Sequence, residues 1–141
     1  MSEELTFQFD VDGEDFTSAG QASVQVKKIL RQLGISPEII RRVSIAMYEG
    51  EINMVIHASG GVAEVKVNED CIDIILADKG PGIKDIDRAM QEGFSTASDQ
   101  TRSLGFGAGM GLPNMKRYTD SLEIDSTIGV GTTVKMKVNL Q

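Results

Sequence analysis

The chain has no tryptophan, one cysteine, one histidine and three prolines, and its other aromatic residues are two tyrosines and five phenylalanines. A single Cys71 excludes an internal disulfide, and with His57 as the sole histidine no zinc-type ligand cluster can be built. Both fit a reducing compartment. Positive charge is also scarce: 14 basic residues face 21 acidic ones, for a net charge of -7, which argues against electrostatic adhesion to nucleic acid or an anionic membrane. Any anionic ligand would need a local positive potential. No run approaches the roughly 18 apolar residues of a membrane-spanning helix. The opening MSEELTFQFD lacks a basic stretch followed by an apolar one. Neither signal peptide nor membrane span is predicted, and the expected location is the cytoplasm.

What is present suits one globular domain over residues 1–141, with 40% hydrophobic residues and no low-complexity tract. Leu5, Phe7, Phe9 and Val11 alternate with polar neighbours as in a half-buried strand. Ala22, Val26, Ile29, Leu30 and Leu33 recur at helical spacing before Gly34. Ser36-Pro37-Glu38 supplies a cap residue, a proline for the first helical position and a first-turn acid, predicting a helix to about His57, ended by Gly60-Gly61. Ala63–Val67 and CIDIILA form one predicted hairpin, and residues 122–126 and 132–140 another. Most of these strands carry one polar face. The expected fold is therefore an α/β two-layer sandwich, with a mostly antiparallel sheet and helices on one face. The long irregular stretch near residues 92–110 reads as a lid.

Two polar residues interrupt the long apolar helix. Glu49 and Asn53 lie one turn apart, flanked by Ile45, Ile52 and Ile56 on one side and by Ile39, Val43 and Ala46 on the other. Burying either without a partner costs on the order of 1–3 kcal/mol, so a pocket lining is one reading and a solvated or Arg42-paired helix edge is the other. Gly50, a poor helix former, signals close packing or close ligand approach. His57, four residues after Asn53, fits a hydrogen-bonded structural role better than a catalytic one. Directly after the buried strand, Asp78-Lys79-Gly80-Pro81-Gly82 is either a plain turn or a carboxylate held at a strand end beside glycines that admit a flat ligand. LGFGAGMGL then places glycine at every second position, from Gly105 to Gly111. No G-x-x-x-x-G-K-[ST] loop occurs, so an ordinary P-loop NTPase is not indicated.

The ordered set Glu49-x-x-x-Asn53, Asp78-x-Gly80-x-Gly82 and Gly105-x-Gly107-x-Gly109-x-Gly111-Leu112 resembles the GHKL nucleotide-binding superfamily over nearly the whole chain. DKGPGIKDIDRAMQEGFST, GMGLPNMKR and IDSTIGVGTTVKM are most similar to the anti-sigma-factor serine kinases, the switch kinases of bacterial stress signalling among them. The resemblance implies a Bergerat-type fold that binds ATP and Mg²⁺. It implies that Glu49 is the catalytic base and Asn53 the magnesium ligand, with Asp78 reading adenine beside Gly80 and Gly82. Gly105, Gly107, Gly109, Gly111 and Leu112 match the phosphate-wrapping lid end, and Thr132 or Thr133 the threonine beneath adenine. The helix start at Gly111 offers free backbone N–H groups to phosphate. Two residues depart from the pattern. Glu51 stands where relatives carry a small or apolar residue, and pointing away from Glu49 it is expected at the surface. Arg102 lies in a lid longer than expected and reads as a solvated loop residue.

The resulting expectation is a protein serine/threonine kinase that passes the γ-phosphate of Mg-ATP to a small regulatory partner, of the antagonist or scaffold type, with a sigma factor as a further partner. An ATP-gated partner-switching module with little kinase activity is the alternative. A detached histidine-kinase catalytic domain would need a phosphoacceptor histidine other than His57. A homodimer through the N-terminal strand and first helix is compatible with the resemblance.

Overall fold

The structure is a computed structural model that describes residues 4–12, 20–58, 60–80 and 111–140. The expected lid at 92–110, Gly82, Gly105, Gly107, Gly109, Arg102 and the side chain of His57 lie outside the described residues. Five strands carry the alternating segments: β1 (Leu5–Asp12), β2 (Gly60–Val67), β3 (Cys71–Asp78), β4 (Ser121–Thr127) and β5 (Gly131–Asn139). The helices are α1 (Gln21–Gln32), α2 (Pro37–Ala58) and the short α3 (Gly111–Arg117).

The strands form one sheet in the order β1-β2-β3-β5-β4, and every neighbouring pair is antiparallel. Register explains its two faces. Phe7, Val65, Ile74, Met136 and Leu122 line up across all five strands, with Val65, Ile74 and Met136 fully buried in the core. The adjacent row Lys66, Asp73 and Lys137 belongs to the opposite, polar face. Val26 and Leu30 of α1 and Val43, Ala46, Met47 and Val55 of α2 close over the apolar face and complete the core. This is the predicted two-layer arrangement.

Local chemistry sets the helix ends. Ser36 Oγ accepts the Ile39 N–H at 3.4 Å at the start of α2, as the Ser-Pro-Glu signal implied. At the end of α1, Gly34 adopts φ 78° while the Ile35 N–H reaches back to the Leu30 carbonyl, a Schellman closure. Gly50 resolves in favour of packing. A Cβ there would stand 2.1 Å from Leu76 Cδ1 and 3.3 Å from Met115 Sδ, so glycine lets α2 settle onto β3 and α3. Arg42, considered as a partner for Glu49, is engaged elsewhere: its Nε donates to the Tyr118 carbonyl, and its guanidinium pairs with Asp120 at 3.3 Å. The Asn139 N–H and then Arg42 hold the Asp120 carboxyl below the ordinary aspartate range.

Glu51 corrects the surface expectation: it is only 2% exposed. Helix α1 begins at Gly20 with φ 93°, without a side-chain cap or a first-turn acid of its own. Glu51 supplies both functions from 31 residues away. Its Oε2 accepts the Gly20 and Ala22 N–H groups, at 2.9 and 3.2 Å, while its Oε1 accepts the Ser23 N–H and hydroxyl, at 3.0 and 2.8 Å. The helical wheel does turn Glu51 away from Glu49, but what it meets there is the N-terminus of another helix, where backbone donors need an acceptor and the dipole favours an anion.

Candidate nucleotide site

Among the described residues, Glu49, Asn53, Asp78 and Thr132 lie on the helix-covered side of the sheet. Glu49 is half-buried on α2, and its Oε1 accepts from Asn114 Nδ2 of α3 at 3.4 Å. Asn114 sits inside the run GMGLPNMKR, but only the docking of α3 on α2 identifies it as the residue that orients this carboxylate. Glu49 also borders a cleft of about 420 Å³ whose other walls come from Gly20, Ser23 and Val24 of the α1 start and from Tyr48. Asn53 is half-buried one turn further along α2, and its amide makes no hydrogen bond with the described residues. No cluster of three or more histidine, cysteine, aspartate or glutamate side chains suited to a metal exists among the described residues.

Asp78 ends the inward-facing row of Ile72, Ile74 and Leu76 on β3, so a carboxylate terminates an otherwise apolar line. Its Oδ1 accepts the Gly80 N–H at 2.9 Å and the Thr132 N–H at 3.1 Å. The first bond shapes the turn after β3, and the second fastens the start of β5 to the end of β3. Gly131 makes that approach possible, since its φ is 148° and a Cβ would come within 2.2 Å of the Asp78 carbonyl oxygen. Thr132 is buried and shares a 2.8 Å hydroxyl contact with Ser126, whereas Thr133 falls on the polar face in the row of Lys135 and Lys137. Structure thus separates the two threonines that spacing left equivalent. Leu112 is 7% exposed within the core cluster, so only its backbone remains to meet a ligand. Gly111 opens α3.

The packing of Gly50 on Leu76 joins the halves of the site, bringing the α2 turn that bears Glu49 over the strand that ends in Asp78. The described part of the site is thus a helix-borne carboxylate and amide over a sheet whose buried strand ends in a backbone-locked aspartate, set in a two-layer sandwich. The chain belongs to the histidine kinase-, DNA gyrase B- and HSP90-like ATPase family, whose profile matches residues 39–141. Within it, the relatives include an anti-sigma F factor and a serine/threonine-protein kinase. The chain is 35% identical over 122 residues to an anti-sigma F factor of Clostridium beijerinckii, covering 82% of each chain. It is 31% identical over 113 residues to the serine/threonine-protein kinase RsbT of Bacillus subtilis, covering 77% of this chain and 79% of the other. The RsbU and RsbW domains of a Mycobacterium tuberculosis protein share the fold at a TM-score of 0.66 and 16% identity, over 95% of this chain and 32% of the other. This is an ATP-using domain of the anti-sigma-factor kinase type, which works through partner proteins. No described helix is long and apolar enough to cross a membrane.

Proposed function

We propose that this protein transfers the γ-phosphate of Mg-ATP to a serine or threonine hydroxyl of a small regulatory partner protein in the cytoplasm. The observation that carries this reading is Glu49, a carboxylate oriented by Asn114 at the border of an open cleft, where an incoming hydroxyl can reach it. Phosphoryl transfer requires positioning, charge neutralisation and such a base rather than covalent chemistry by the protein. Asn53, with its amide unengaged by the described residues, suits a Mg²⁺ ion that keeps waters and phosphate oxygens as its other ligands. When bound, that ion would neutralise the charge on the phosphates. Asp78 accepts the adenine amino group through Oδ2 while Oδ1 holds the turn, and Thr132 lies beside it. Gly80, Gly82 and the glycines from Gly105 to Gly111 complete the adenine and phosphate contacts under this reading. A sigma factor is a further partner under this reading.

Affinity capture from the native cell with Mg-ATP, followed by phosphosite mapping on the retained proteins, tests the reading. A retained partner phosphorylated on serine or threonine by the purified chain supports it. Partners retained in an ATP-dependent way but never phosphorylated would replace it with the ATP-gated switching module.

The site assignment carries its own expectations. Asp78→Asn keeps an oxygen for the two backbone N–H groups but turns an amide toward adenine, so ATP affinity should fall by about 1–3 kcal/mol with the fold intact. Asn53→Ala should remove the Mg²⁺-dependent part of ATP binding. Calorimetry that finds both variants equal to wild type would overturn the assignment. Asn114→Ala should leave ATP affinity alone while slowing transfer about tenfold, measured with labelled ATP, because Glu49 loses its orienting donor.

A further inference from the structure

A second cleft, of about 390 Å³, continues from the first along the junction of α1 and α2, and the two share Lys27, Ser44 and Ile45. Lys27, Arg31 and Arg41 line it, with buried Ile40 among the apolar residues at its base. Three cations and no acid in one groove contrast with a chain of net charge -7. Lys27 and Arg31 lie one turn apart on α1, an arrangement of like charges that weakens a helix slightly. None of the three is in an ion pair among the described residues, although Arg42, Lys66 and Lys137 each find an acidic partner. Arg41 instead stands over the Tyr118 ring at 5.5 Å. The shared wall contributes Ser44, whose buried hydroxyl has no hydrogen-bond partner among the described residues. Apolar surface flanks the charges: Val24 and Tyr48 are 47% and 41% exposed.

We infer that this groove docks an acidic amphipathic segment of the partner protein, its carboxylates on Lys27, Arg31 and Arg41 and its apolar side chains on Val24, Ile45 and Tyr48. Charge complementarity selects this occupant, since a basic segment would meet three like charges and a neutral one would supply none of them with a carboxylate. The groove leads to Glu49, so a segment docked there delivers the residues beyond it to the carboxylate. That last step alone rests on the phosphoryl-transfer reading. The recognition step does not.

The test uses a fluorescein-labelled helical peptide of about four turns, with glutamates spaced one turn apart beside a leucine stripe, and the same peptide with lysine in place of glutamate. Anisotropy with the full chain should show binding of the acidic peptide only, weakening as salt is raised. Lys27→Glu with Arg31→Glu, both at exposed positions, should weaken binding at least about tenfold, and Arg41→Glu should act in the same direction. Circular dichroism establishes that the variants are folded, and a fluorescent ATP analogue should bind them as it binds wild type. Failure of the acidic peptide to bind, equal binding of the lysine peptide, or indifference to the double charge reversal would overturn the groove assignment. An ATP analogue that does not bind wild type would overturn the nucleotide reading instead and leave the docking result standing.

Discussion

Glu51→Ala is expected to destabilise the protein by on the order of 3 kcal/mol, even though Glu51 lies outside the proposed nucleotide site. Removing the carboxylate strands the Gly20, Ala22 and Ser23 N–H groups and the Ser23 hydroxyl at once, in a region where Ala22, Ser23 and Glu51 are all buried. A hydrogen bond to a charged acceptor contributes about 1.5–3 kcal/mol, and loss of a helix cap costs about 0.5–2 kcal/mol. These figures overlap rather than add, because water enters as α1 frays. Glu51→Gln should do nearly as badly, since one of its two terminal groups becomes a donor facing donors. Urea unfolding gives the measure. A loss below about 1 kcal/mol for alanine would mean that the cap contributes no more than an ordinary surface contact.

The second large effect falls on chemistry alone. Glu49→Ala should cut phosphoryl transfer to the captured partner by about a thousandfold, the middle of the range for a general base, while ATP affinity changes little. Glu49 is half-buried and its one hydrogen bond among the described residues, to Asn114, is long at 3.4 Å, so the fold depends on it far less than on Glu51. The two variants should therefore separate cleanly: one loses stability, the other turnover. Transfer that survives in Glu49→Ala would remove the base from this carboxylate and redirect the search to other acceptors near the cleft.

Much of this architecture was legible because it depends on periodicity. Alternation in residues 63–67 and 132–140 marks which side of each strand is buried, the nearly all-apolar run 71–77 marks a more buried strand, and Ser36-Pro37-Glu38 announces α2 through backbone chemistry confined to neighbours. Gly50 was readable as a packing signal, although not as contact with Leu76 and Met115. Glu51, Asn114 and Gly131 were not, and for one shared reason. Each acts on a partner far along the chain: the start of α1, the carboxylate of α2 and the end of β3, respectively. A wheel or a spacing fixes the direction in which a side chain points, but it is blind to what tertiary packing places there.

Asp78 carries a consequence for how nucleotide preference could change. One oxygen of its carboxylate fastens two backbone segments, so the residue is a rivet as well as the proposed reader of adenine. Substitutions that discard both oxygens would register first as a loosened junction between the end of β3 and the start of β5, and only then as a loss of the proposed base contact. Drift in ligand choice at this position is therefore confined to side chains that keep an acceptor in place of Oδ1, a set close to aspartate and asparagine alone. A lineage that recruited this fold for a different ligand would have to alter the neighbouring glycines and Thr132 before it could release Asp78.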